Sequence, residues 1–109
     1  MQPAITAPDG VDTPFFGGSD PDATSFPNFF GTSAAAPHAA GVAALMFQLK
    51  PTLSPDSLYA AIKASAIDMD DPSTGGFDVG FDFATGAGLI QADAALTRVA
   101  DIIFTNGFE

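Results

Sequence analysis

Residues 31–49, Gly-Thr-Ser-Ala-Ala-Ala-Pro-His-Ala-Ala-Gly-Val-Ala-Ala-Leu-Met-Phe-Gln-Leu, contain no Asp, Glu, Lys or Arg. A run this long, rich in Ala and Leu, predicts a helix. Gly31 permits a tight entry turn. Thr32 and Ser33 are expected to cap the first N–H groups. Pro37 is expected in the first turn, where its missing N–H costs nothing. Lys50-Pro51 ends the run. Residues 39–46 are apolar nearly all round, so burial on most sides is expected. Their Ala and Gly content, Gly41 included, lets neighbouring elements approach closely.

The head of this helix is where chemistry is expected. Backbone N–H groups in a first turn are unpaired, and the dipole there favours negative charge. A serine hydroxyl beside them suits acyl transfer, because an oxyanion forming on a substrate carbonyl would be stabilised. Serine is also a favoured N-cap in any protein. Position alone leaves both readings of Ser33 open.

The flanking segments are shorter. Ala4-Ile5-Thr6-Ala7 reads as an extended run ended by Pro8-Asp9-Gly10. Residues 11–16 and 26–30 are expected as two arms of a hairpin around an acidic loop at 17–25. Residues 54–66 read as a helix: Ser54 as N-cap, Pro55 at the first position, Asp56 at the positive end of the dipole. Leu53 and Leu58 have hydrophobic-staple spacing, and Leu58, Ala61, Ile62 and Ala66 form a stripe. Residues 67–88 read as an Asp/Gly/Phe loop. A last helix is expected over 91–100, with Ile102-Ile103-Phe104 as an extended end.

The chain is 109 residues long, enough for one domain. An apolar fraction of 47% argues against disorder. Thirteen acids against Lys50, Lys63 and Arg98 exclude a nucleic-acid partner, which requires cations. No stretch is long enough to span a membrane, and residues 1–4 are no secretory signal. With no cysteine, disulfide and thiolate chemistry are excluded. Eight phenylalanines, among them Phe26, Phe30, Phe77 and Phe83, sit in Gly/Pro/Asp-rich stretches. They are expected to cover the chain's own core, a partner, or a further part of the domain. No cofactor is expected for the chemistry. Asp20 with Asp22, or Asp78 with Asp82, are candidate structural calcium ligands, although two carboxylates fall short of the six to eight oxygens that calcium takes.

Gly31-Thr32-Ser33, followed by Ala36-Pro37-His38 and Gly41-Val42-Ala43, closely resembles the nucleophile motif of the subtilisin-like serine proteases, peptidase family S8. Residues 3–10 resemble that family's strand and turn upstream of the nucleophile. Gly86-Ala87-Gly88-Leu89-Ile90-Gln91-Ala92 resembles the Gly-x-Gly segment leading into its last helix. The resemblance implies an α/β fold: the C-terminal segment of a three-layer architecture with a mostly parallel sheet, here helix-rich with a short β-hairpin. Residues 1–100 are then a partial peptidase domain and residues 101–109 a short tail, whose ending resembles one found on some secreted bacterial proteins.

The implied function is serine-type endopeptidase, hydrolysing peptide or protein substrates through an acyl-enzyme on Ser33. Gly31, Thr32 and Ser33 would form the oxyanion and nucleophile motif, with Pro37, His38 and Gly41 structural. Family triads run in the order Asp, His, Ser. The Asp, the base and the side-chain oxyanion donor are therefore expected upstream of Met1, and the upstream half of the domain is needed for activity. His38, the single histidine, is five residues past Ser33, about 140° around the helix, and is not expected to be the base. Location is expected to be extracellular or periplasmic by resemblance. The rival expectation is a non-catalytic remnant or an acidic interaction module.

Overall fold

The computed structural model describes residues 2–14 and 20–105. Among these are β1 (Val11–Asp12), β2 (Asn28–Phe29), α1 (Thr32–Leu49), α2 (Pro55–Ser65) and α3 (Ala92–Thr105). The strands pair antiparallel, Val11 opposite Phe29 and Asp12 opposite Asn28. The expected hairpin is therefore present, with shorter arms. Phe15, Phe16 and the Gly17-Gly18 turn lie outside the described residues, as does the end of the tail from Asn106.

α2 forms for the local reasons expected. Ser54 Oγ accepts the Ser57 N–H at 3.1 Å, and Pro55 opens the helix. Leu53 and Leu58 are both buried beside Ala61 and Ile62. α3 differs: it continues helically through Ile102-Ile103-Phe104, which were expected to be extended. Ala95 and Val99, one turn apart, are fully buried and anchor it.

The core lies where α3 meets α1 and α2. Met46 and Val99 are at its centre with Leu53, Leu58, Ile62, Ile90 and Ala95. Three chain-distant segments are stitched beneath it. Thr6 donates its N–H to Gly88 and accepts from Ile90, at 2.8 and 2.9 Å. Ile67 and Leu89 exchange both backbone bonds, at 2.9 and 2.8 Å.

α1 corrects the expectation of burial on most sides. Ala34 and Met46 are its buried residues. Ala39, Val42 and Ala43 pack partly against the core. Ser33, Ala36, Pro37, Ala40, Gly41 and Ala44, at helical spacing along the other face, are exposed. α3 covers one side, and β1 and β2 at two residues each form no layer over the other. Four of the eight loop phenylalanines do not cover the core either. Phe26, Phe30, Phe77 and Phe83 are all more than half-exposed or at half exposure.

Gly41 therefore weakens α1 with no compensating contact among the described residues. A Cβ there would meet nothing within 4 Å. Gly41→Ala is expected to stabilise the chain by about 1 kcal/mol, the propensity difference between the two residues. The urea midpoint measures it: an unchanged or lower value would show that the helix is not formed at this position.

Candidate active site

The site is built at the junction of β2 and α1. Pairing of β1 with β2 is reinforced by Gly10 N–H to Phe29 O at 2.7 Å and Thr13 N–H to Pro27 O at 2.8 Å. Asn28, 5% exposed, latches the loop by donating its side-chain amide to Gly10 O, Asp12 Oδ1 and Asp22 Oδ2. The chain leaves β2 and reverses at Gly31, with φ 102° and ψ 178°. That region of backbone space is essentially confined to glycine.

Gly31, not Thr32 or Ser33, is the N-cap. Its carbonyl accepts the N–H of Ala34 and of Ala35, at 3.0 and 3.1 Å. Thr32 and Ser33 are thus the first two helical residues. Their side chains make no cap, which corrects the expected capping role. The glycine conformation moves the helix start back by one to two residues. Pro37 is likewise displaced from the first turn: it is the sixth residue of α1. It removes the N–H that would otherwise bond the Ser33 carbonyl.

Ser33 is exposed, one step inside the positive end of an 18-residue helix. The N–H groups of the first helical residues have no carbonyl four residues back to bond within the helix. A carbonyl oxygen placed over Thr32 and Ser33 would meet open donors and a favourable dipole. Among the described residues, no side chain hydrogen-bonds Ser33 Oγ. His38 turns elsewhere: half-buried, its ring Nδ1 lies 2.9 Å from the Ala34 carbonyl. That contact fixes Nδ1 as the protonated nitrogen, since a carbonyl only accepts.

The four aspartates considered as calcium ligands accept hydrogen bonds from nearby groups of the chain. Asp20 accepts the Thr24 and Ser25 N–H groups. Asp22 accepts from the Thr24 hydroxyl and the Asn28 amide, and the Asn28 bond chiefly holds its carboxyl below the usual range. Asp78 accepts from the Thr74 hydroxyl. Asp82, 7% exposed, accepts the Thr85 hydroxyl and the Ala84 and Thr85 N–H groups. Among the described residues, no three acidic or histidine side chains gather as a metal centre.

The Thr85 hydroxyl is the main cause lowering the Asp82 pKa. A carboxyl whose pKa is lower in the folded chain stabilises it above the unfolded value of about 3.9, and loses that contribution as pH falls through the folded value. Thermal stability is therefore expected to drop below about pH 4. Asp82→Asn is expected to lower Tm at pH 7 and to give a shallower acid decline. Parallel wild-type and variant curves from pH 7 to pH 2.5 would mean that Asp82 has no such role.

Sequence reasoning missed Asp9. Pro8-Asp9-Gly10 marks it as a turn residue, yet its Oδ2 accepts the Gly31 N–H at 2.7 Å across 22 residues. No local signal marks such a contact.

A serine at the head of a helix entered from a glycine turn is the arrangement that the resemblance to the subtilisin-like proteases implies. Residues 1–88 match the family model of the subtilases, peptidase family S8. The extracellular protease of Xanthomonas campestris pv. campestris is 37% identical over 82 residues, which cover 74% of this chain and 13% of that protein. Solved structures that resemble the chain include two proteases. The psychrophilic subtilisin-like protease Apa1 of the Antarctic Pseudoalteromonas sp. AS-11 has 34% identity and a TM-score of 0.60, over 70% of this chain and 16% of the other. Fervidolysin of Fervidobacterium pennivorans has 30% identity and a TM-score of 0.58, over 87% and 14%. The chain belongs to the subtilase family of serine proteases. It spans 8–13% of the length of the first curated relatives it matches.

Proposed function

We propose that this chain carries the nucleophile of a serine endopeptidase, Ser33, and acts together with the preceding part of a subtilase catalytic domain. The observation that carries this reading is the exposed Ser33 at the second position of α1, behind the Gly31 turn. Ser33 Oγ bonds to the scissile carbonyl carbon while its proton passes to a base. The carbonyl oxygen takes up negative charge over the Thr32 and Ser33 N–H groups. Collapse breaks the C–N bond, the amine leaves with the proton, and water then releases the acyl group.

The base is assigned outside these 109 residues. His38, the single histidine, is held to Ala34 rather than to Ser33. The exposed Ser33-Ala36-Ala40-Gly41-Ala44 face supports the same division. A smooth apolar face with a glycine at its centre suits close packing by another layer, and Ser33 heads it. Substrates are peptides or proteins. The location is outside the cytoplasm, extracellular or periplasmic, a reading supported by the name of the Xanthomonas relative.

The test is a fluorophosphonate probe, which bonds through phosphorus to an activated serine oxygen and expels fluoride. It is applied to the chain alone and mixed with the preceding part of the Xanthomonas protease domain. Labelling at Ser33 in the mixture alone is expected, with none in Ser33→Ala. Labelling of the isolated chain would place a base within it. No labelling of a folded chain in either case would favour a non-catalytic interaction module.

A further inference from the structure

α1 begins without any local electrostatic support. Its N-cap is a glycine with no side chain, no side-chain cap is made, and its first turn holds no acidic residue. A helix of 18 residues with an unneutralised positive end is stabilised by an anion placed there. The structure supplies one from a distant segment. Asp9 Oδ2 sits 2.7 Å from the Gly31 nitrogen, the length of a charge-assisted bond. The hairpin delivers it: Gly10 N–H bonds Phe29 O at 2.7 Å, and Val11 pairs with Phe29, so residue 9 falls in register with residue 31.

We propose that Asp9 is a positioning residue for Ser33, its carboxylate clamping the Gly31 N–H and so fixing the backbone turn that presents the serine. This inference rests on the reading of Ser33 as nucleophile. Gly31 has no side chain to restrict its φ of 102°, and a glycine backbone moves freely between regions. The peptide group ahead of Gly31 is held at one end by β2 and at the other by Asp9. Its orientation sets the direction of the next two N–H groups. By taking the Gly31 N–H, Asp9 leaves those of Thr32 and Ser33 open toward a substrate oxygen. The carboxylate itself is directed to the turn and does not touch the reacting atoms, so its effect runs through Gly31.

The test compares wild type, Asp9→Ala and Asp9→Asn in the full 109-residue chain, by amide NMR and by the rate of fluorophosphonate labelling in the mixture described above. The Gly31 amide proton is expected downfield in wild type, at an unbonded position in Asp9→Ala, and largely restored in Asp9→Asn, which keeps an acceptor oxygen. Labelling is expected to slow about tenfold or more in Asp9→Ala, as for other displaced reacting groups, and much less in Asp9→Asn. An unchanged Gly31 resonance in Asp9→Ala, or equal labelling rates, overturns the proposal. If wild type is not labelled, the nucleophile reading fails. The clamp is then decided by the Thr32 and Ser33 amide resonances: displaced by Asp9→Ala and restored by Asp9→Asn, it stands; undisturbed, it falls.

Discussion

Ser33→Ala, in the mixture that supplies the preceding part of the domain, is expected to lower kcat for peptide hydrolysis by about a millionfold, the magnitude known for loss of the nucleophile in subtilisin itself. The size follows from what the hydroxyl does. Without Oγ no acyl-enzyme forms, and the two-step route closes. The first helical N–H groups and the dipole remain, because alanine fits an exposed helical position. A residue of about 10³–10⁴-fold over the uncatalysed reaction is therefore expected to persist from oxyanion stabilisation and binding, again as in subtilisin. KM should move little, since substrate contacts stay in place. Loss of substrate binding together with activity would mean that the substitution had disturbed the turn. Retention of activity would remove Ser33 from the chemistry altogether.

Gly88→Ala is expected to unfold the chain. The glycine has a φ of +126°, where an L side chain is strained by about 1–3 kcal/mol. A Cβ there would overlap the Ile67 carbonyl oxygen and lie 2.6 Å from its carbon. Those are backbone atoms, which cannot rotate aside as a side-chain tip can. Relief requires parting Ile67 from Leu89, whose two mutual bonds hold the 67–88 loop to the segment entering α3. Thr6, bonded to Gly88 and Ile90, would be displaced with them. A total cost of about 4 kcal/mol or more puts this among the largest single-residue effects. Domains have about 5–15 kcal/mol in all. Circular dichroism with urea titration reads the outcome. A cooperative transition at the wild-type midpoint would show that the Ile67–Leu89 bridge does not form. Gly41→Ala is the matched control, since the same chemical change in open space is expected to raise the midpoint.

The two glycines show how legibility divides. Gly41 was readable as a small residue on an Ala-rich helix, but the sequence did not tell which face of that helix would be covered. Gly88 was readable as part of a family-like Gly-x-Gly segment. Its reason, the Ile67 backbone against it, lies 21 positions away. α2 was almost wholly legible, because cap, first-position proline and staple are all local. The end of α3 was not: Ile102-Ile103-Phe104 are β-branched or aromatic residues with strand propensity, and Ala95 and Val99 in the core carry the helix past them.

The same division runs through the site. Gly-Thr-Ser ahead of an uncharged apolar run placed Ser33 at a helix head from sequence alone, since a helix start depends on a few neighbouring residues. The one-residue matter of who caps was decided by the Gly31 conformation. His38 was set apart from Ser33 by the 3.6-residue period, which is a property of the chain itself. Its bond to Ala34, four residues back, follows from the same period.

By itself, then, the sequence determined that three helices form, where α2 begins, that Ser33 lies at the head of the long one, and which family the motif resembles, mostly through patterns within a turn or two of the chain. The tertiary structure alone decided what spans longer distances. It set the Thr6–Gly88 and Ile67–Leu89 stitching, the exposed face of α1 and the Asp9 carboxylate on the Gly31 N–H. Such contacts join residues 22 to 82 positions apart. Their partners are chosen by how the elements pack around Met46 and Val99, not by any pattern along the chain.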